Sequence, residues 1–346
     1  MDIVAIVKIL TLTTVSFIVA LLATPLLTHF LYKYKLGKNV RDEIQAPVMS
    51  RLHQAKNGTP TMGGILIWLT TLVLAVIFFF LSSLNIIPPI INFLSRTETL
   101  LPLGALVASA LVGLIDDWFN VKGLGARGGG LKMRHKLLIY SAIAIVGAWW
   151  FYYKLDWTIL YLPGLGNIDI GWWYIPLFIF IIVATSFSVN EIDGLDGLAG
   201  GTLLAAFGAF GAIAFIEGKI DLAAFCGVIV GSLLAFLWFN INPARFFMGD
   251  TGAMSLGVTL GIVAMLTNTV WLLPVIGLLF VVESLSVIVQ VISKRTTGKK
   301  IFLSSPLHHH LEAIGWPEPK IVMRFWVIAG VMAVIGVILF LVDKVA

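Results

Sequence analysis

Ten apolar runs dominate the chain, at 3–31, 62–83, 99–115, 137–153, 172–189, 198–216, 221–239, 253–268, 271–292 and 322–342. A helix needs roughly 20 such residues to cross a ~30 Å hydrocarbon layer, so the pattern leaves few architectures open. With 59% hydrophobic and 12% charged residues, the sequence is too apolar to hide these runs in a soluble core. The expectation is an all-α polytopic membrane protein of about ten transmembrane helices, forming one domain over 1–346. The first run is too long for a removable signal peptide and lacks a small-residue cleavage pattern, so it reads as a retained helix. Cys226 falls inside a run and reads as a packing residue, since a single cysteine forms no intrachain disulfide.

Short-loop Lys and Arg set membrane orientation, and here they are unevenly spread. The first loop carries Lys33, Lys35, Lys38, Arg41, Arg51 and Lys56, and the third carries Lys122, Arg127, Lys132, Arg134 and Lys136. Arg245 and a final group from Lys294 to Arg324 add to the same side, whereas the even-numbered loops hold only Arg96, Lys154 and Lys219. The odd loops therefore face the cytoplasm, and ten spans put both termini outside. The turn-rich stretch 161–171 predicts a small external β-hairpin.

On this topology the polar motifs converge at the cytoplasmic end. "GLIDDWF" sets Asp116 and Asp117 side by side at the end of an apolar helix, where desolvation and mutual repulsion call for a cation or a proton. Solvated helix-end carboxylates are the simpler account, but the macrodipole disfavours acids near a helix C-terminus. "NEIDGLDGLAGG" spaces Asn190, Asp193 and Asp196 three apart, which puts them on one face if the segment is helical, with Gly194 and Gly197 allowing close backbone approach. It lacks the alternate ligands and the terminal glutamate of an EF-hand loop, and a helix N-cap explains one of its aspartates but not three polar side chains. "NPARFFMGDTGAMSLG" delivers Asp250, a hard oxygen donor suited to Mg²⁺, beside Arg245 and the pair Phe246 and Phe247. Phe247 is either a core aromatic or a platform for a nucleobase.

Lys56 precedes the Gly-Thr-Pro turn of "KNGTPTMGG", so its ammonium and the following helix N-terminus can both attract an anion; orientation alone also accounts for a lysine there. "GLGARG" (123–128) matches G-x-G-x-x-G formally but follows a membrane run, not a strand, which excludes a dinucleotide fold. Glu283 is the one acid expected deep in a span, facing the bundle interior. The consecutive His308, His309 and His310 cannot all ligate one metal from a regular element, so they read either as contacts to a phosphorylated or sugar ligand or as a structural loop cluster.

Together "GTPTMGG", the "DD" pair, "NEIDGLDGLAGG", "FMGDTGAMSLG", "ESLSVIVQV" and "SPLHHHLEAIGWPEPKIVMRFW" resemble the bacterial phospho-N-acetylmuramoyl-pentapeptide transferases, from about Arg41 to Trp326. The His-His-His segment and its Gly-Trp-Pro-Glu-Pro continuation distinguish this branch from related polyprenyl-phosphate N-acetylhexosamine-1-phosphate transferases. The resemblance implies a Mg²⁺-dependent enzyme of the bacterial cytoplasmic membrane, acting as a homodimer. It would join undecaprenyl phosphate to UDP-N-acetylmuramoyl-pentapeptide, giving lipid I and UMP; membrane lipids surround it, and nothing implies nucleic acid.

By the same resemblance Asp250 is the metal ligand, and Asp116 and Asp117 bind or deprotonate the lipid phosphate. Phe247 stacks on uracil, with Lys56, Gly194, Leu195 and Asp196 completing the uridine pocket. Thr61, Asn190, Asp193 and His309 neighbour the sugar and pyrophosphate, His309 in a catalytic place and His308 and His310 as ligand contacts. The chain departs from the family in Asn120, where a lysine is usual, with Lys122 the proposed substitute, and in Phe187, where an asparagine is usual. Two alternatives stay open: a transferase of N-acetylglucosamine 1-phosphate, and a secondary transporter, against which the one-sided clustering of the acids argues.

Overall fold

The computed structural model describes residues 3–37, 56, 58–125 and 129–345. Lys38, Arg41, Arg51 and Arg127, which entered the orientation argument, lie outside the described residues. In hydrocarbon each backbone N–H and C=O must be satisfied within its own segment, and the apolar runs accordingly form helices.

In chain order these are α1 (Ile3–Lys33), α2 (Ile65–Ser83), α3 (Leu100–Val121) and α4 (Met133–Trp149). A two-stranded antiparallel hairpin follows, β1 (Ile159–Leu162) with β2 (Gly166–Asp169), in the register Ile159 opposite Asp169 and Leu162 opposite Gly166. Then come α5 (Tyr174–Ile192), α6 (Leu198–Ile216), α7 (Ile220–Asn240) and α8 (Gly249–Leu266). The remainder holds the short α9 (Leu273–Ile276), α10 (Leu278–Thr296), α11 (Leu307–Ala313) and α12 (Glu318–Val345). Among the described residues, nine helices are long and apolar enough to cross a membrane, ten if a bent pair counts as one span.

That bent pair corrects one expectation. The single run 271–292 is broken between Val270–Ile276 and Leu278–Thr296, with the two parts inclined by 80°. The break falls at Gly277, whose N–H donates to the Leu273 carbonyl at 2.8 Å, while Pro274 lies three residues before it. A side chain at Gly277 would run into the Leu273 carbonyl, so the kink depends on glycine there. Hydropathy is continuous across it and carries no sign of the bend.

The middle of the bundle is α8, 94% of whose span is buried inside the protein, against 28% for α1 and α12. It packs on α2, α3, α5 and α6. Helices in lipid gain little from mutual hydrophobicity, so small residues that admit close backbone approach carry the contact. Gly252 of α8 lies against the Gly64 backbone at the start of α2, and Gly257 against Ser186 of α5. Hydroxyls stitch the same seams: the indole of Trp68 donates to Thr251 Oγ1 at 3.1 Å, and that hydroxyl donates to the Ala110 carbonyl at 2.8 Å. This packing holds the N-terminus of α8, with Asp250 in its first turn, against the last two turns of α3, where Asp116 and Asp117 lie.

Candidate active site

Three polar clusters meet at this end of the bundle. In the first, the adjacent acids of α3 part company, because successive helical residues point about 100° apart. Asp117 turns to the start of α8: its Oδ1 accepts the Asp250 N–H at 3.1 Å and its Oδ2 the Thr251 N–H at 3.0 Å. Thr61 adds its hydroxyl to Oδ1 at 3.2 Å. An anion at a helix N-terminus satisfies otherwise unpaired donors and meets the positive end of the dipole, which offsets the cost of an acid near the C-terminus of its own helix.

Asp116, 1% exposed, accepts the Leu131 backbone N–H and forms an ion pair with Lys136 of α4 at 2.8 Å. The same ammonium lies 2.7 Å from Asp250 Oδ1, which also accepts from the Asn190 side-chain amide at 2.5 Å. One cation therefore sits between two carboxylates brought from α3 and α8. Lys136 entered the sequence analysis only as a loop charge. Its signal was faint, a lysine one turn into an apolar helix. The Lys122 ammonium lies 5.0 Å from the Trp118 ring.

The second cluster is centred on Lys56, whose ammonium pairs with Asp196 at 2.7 Å and Glu318 at 2.5 Å. Glu318 also accepts the Asp196 N–H at 2.7 Å, and Asn242 donates to both carboxylates, at 3.0 and 3.2 Å. The Ala244 N–H completes the shell of Asp196 at 3.1 Å. The Phe247 ring, half-buried, stands 5.9 Å from the Lys56 ammonium, whereas Phe246 is fully buried against Phe236 and Phe239. Of the aromatic pair, only Phe247 presents a face beside a polar cluster. Glu318 and Asn242 are additions; Glu318 was in plain view in Gly-Trp-Pro-Glu-Pro, but nothing local ties it to Lys56.

The third cluster contains the histidines, carried on α11. Glu283, fully buried in the second turn after the break, accepts the His308 N–H at 3.2 Å and lies 3.0 Å from its Nδ1. His309 Nδ1 is 2.7 Å from Glu312. Both imidazoles close on Gly194, where any side chain would strike His308 Nε2. His310 turns away: its Nδ1 accepts the Leu303 N–H at 3.2 Å, and its ring packs edge-on to Phe302. Two of the three histidines thus face the cluster.

The segment 190–196 links all three clusters, though not as a helical face. Helix α5 ends at Ile192, so Asn190 reaches Asp250, Gly194 abuts the histidines and Asp196 meets Lys56. Asp193 is the C-cap residue of α5. The Leu195 side chain is buried in the apolar core and points away from the role in a nucleotide pocket that the resemblance implied.

Among the described residues, no three His, Cys, Asp or Glu side chains gather at metal-ligand spacing. The donors that do converge, carboxylate oxygens of Asp116 and Asp250 around one ammonium, are hard. They fit Mg²⁺, which takes one or two protein carboxylates and completes its octahedron with phosphate oxygens and water.

Comparison with known proteins decides among the readings these clusters leave open. Residues 99–268 match the model of glycosyl transferase family 4, and residues 56–67 match phospho-N-acetylmuramoyl-pentapeptide-transferase signature 1. A phospho-N-acetylmuramoyl-pentapeptide-transferase of Chloroflexus aggregans is 40% identical over 96% of this chain and 89% of its own length. The chain belongs to the phospho-N-acetylmuramoyl-pentapeptide-transferase family. Proteins of the same name from a Geobacillus species and from Bacillus subtilis are 43% and 40% identical, each over 93% of this chain and 94% of its own. The family signature begins at Lys56 and runs into α2, so it holds the lysine of the second cluster and Thr61 of the first.

Proposed function

We propose that this chain transfers phospho-N-acetylmuramoyl-pentapeptide from its UDP conjugate to undecaprenyl phosphate, releasing UMP and forming lipid I at the cytoplasmic face of the bacterial inner membrane. The observation that carries the reading is the Asp116–Lys136–Asp250 cluster at the end of a membrane bundle, in a chain of this family. A lipid phosphate and a soluble nucleotide sugar can meet only at such an interface.

In the reaction an oxygen of the lipid phosphate forms a bond to the β-phosphorus, and the bond from that phosphorus to the α,β-bridging oxygen breaks. UMP leaves with the bridging oxygen. Phosphoryl transfer asks for positioning and charge neutralisation more than for covalent machinery. Mg²⁺, when held by Asp250 with Asp116, supplies that neutralisation on the pyrophosphate. Lys136 lies where its ammonium can move from the carboxylates to a phosphate oxygen. Asp117 holds Asp250 in place through the backbone of α8. His308 and His309 border the same loop and face the sugar-phosphate side, while Phe247, Lys56 and Asp196 receive the uridine. Asp193 and Asn190 flank the pyrophosphate. The active form is read as a homodimer.

Release of UMP by the detergent-purified protein, measured with both substrates and Mg²⁺, tests this reading. Release that needs the lipid and disappears in Asp250→Ala supports it. Turnover of UDP-N-acetylglucosamine instead would move the chain to the sister activity, and silence with both donors would reject the transferase reading.

A further inference from the structure

The loop that carries Phe247 has a second side, turned away from the clusters above. Between the last turns of α1 and the end of α7 lies a cavity of ≈ 490 Å³, lined by Thr24, Pro25, Thr28, His29, Tyr32, Lys33, Phe239 and Arg245. His29, Lys33 and Arg245 bring basic groups to it from two elements, and no carboxylate is among the described residues that line it. Its upper part is of a different character. Thr24 and Thr28 spend their hydroxyls on α1 carbonyls, at 2.8 and 2.9 Å, so the wall they form with Pro25 is effectively apolar. Above it, on the outer surface of α1, Leu22 and Leu26 are 73% and 76% exposed, as expected of side chains in acyl chains.

A groove that is apolar toward the middle of a span and basic at its end matches an amphiphile with an anionic head. Basic pockets between transmembrane helices on the cytoplasmic side are suited to phospholipid head groups, because that leaflet carries the negative surface potential. The guanidinium of Arg245 lies 5.8 Å from the centre of the Phe239 ring, and the Tyr32 hydroxyl donates to the Arg245 backbone carbonyl at 2.9 Å. Arg245 is therefore set beside α1 by contacts from both helices, and the exposed His29 and Lys33 of α1 stand on the other side of the groove.

We propose that this cavity binds the phosphate of an anionic bilayer phospholipid, with His29, Lys33 and Arg245 as its head-group site. The neighbouring Ala244 N–H holds Asp196, so an occupied site braces the loop that carries Phe247 from its outer side. A free phosphate lacks the tail that the apolar upper wall accommodates.

Native mass spectrometry of the delipidated full-length protein, titrated with phosphatidylglycerol or phosphatidylcholine, tests the assignment without reference to catalysis. Preferential retention of phosphatidylglycerol, weakened roughly tenfold in His29→Gln/Lys33→Gln/Arg245→Gln but unchanged in Lys294→Gln/Arg295→Gln, is the expected result. The lipid-free melting temperature of the triple variant checks that it folds, and Arg245→Lys alone, which keeps the charge, should retain most of the binding. Equal retention of the two lipids, or of phosphatidylglycerol by wild type and the triple variant, would overturn the proposal. So would displacement by millimolar inorganic phosphate, which would make this a free-anion site, or by a short polyprenyl phosphate, which would give the cavity to the acceptor substrate.

Discussion

Buried charge occurs at both ends of the bundle, and the two ends use it differently. At the opposite ends of α1, α3 and α7, Lys8 pairs with Asp221 at 2.6 Å and donates to the Asn92 carbonyl at 2.9 Å. Glu98 accepts the Leu222 N–H at 3.0 Å, and Lys219 joins Glu217 to the Leu266 carbonyl, at 2.8 and 2.7 Å. Each group there ties one helix end to another. At the site end, one ammonium serves Asp116 and Asp250, and another serves Asp196 and Glu318. The far end is closed by its own charges. Among the described residues the near end gathers more acid than base, from four separate motifs, a balance that suits hard cations. Burial of polar groups alone does not mark a site; sharing of one counterion by several acids does.

Changes at the two ends should separate chemistry from stability. Asp250→Ala should lower UMP release roughly a thousandfold, an effect of the size seen when one group aimed at developing charge is removed, with little change in melting temperature. Next in size, Lys136→Met leaves two carboxylates facing each other. Release should drop about a hundredfold, and the lost melting temperature should recover as Mg²⁺ is added, whereas recovery with Na⁺ at equal ionic strength would break the contrast. At the far end Lys8→Met should cost about 1–3 kcal/mol of stability, since Lys8 is buried but Asp221 is partly open to solvent, while turnover per folded molecule stays unchanged.

The smallest effect belongs to Glu98. Burial pushes its carboxyl above the ordinary glutamate range, against the Leu222 N–H that favours the charged form. The folded state then holds a proton that the unfolded state releases, so stability is lost as pH rises from the ordinary glutamate value through the folded one. Acidifying from about pH 7 to about pH 5 should raise the melting temperature slightly, and Glu98→Gln should flatten that dependence. An unchanged slope in the variant would show that another group carries it.

Much of the frame was legible in the chain. The apolar runs predict the helices to within a few residues; the expected span 198–216 coincides with α6, and the hairpin expected at 161–171 forms from Ile159 to Asp169. Helix ends with polar termini were less legible, because the last turns of α3 and the first of α8 hold charged or small residues that hydropathy places outside the run. The break at Gly277 was invisible for the opposite reason, since both parts are apolar. Glu283 was expected to face the interior, and does, but its partner His308 lies 25 residues on, in a separate helix.

The sequence by itself determined the membrane class, the order of the spans and the residue types of the site, since hydropathy and short motifs are local properties. Tertiary structure alone decided the pairings: Asp117 as the cap of α8, Lys136 between two acids, His310 turned outward and Glu318 brought to Lys56. The partners stand far apart in the chain, Lys136 and Asp250 by 114 residues and Lys56 and Glu318 by 262. No local period encodes such distances. They are set by how closely glycine and hydroxyl seams let α8 approach its neighbours, a fit between surfaces that exists only once the helices have packed.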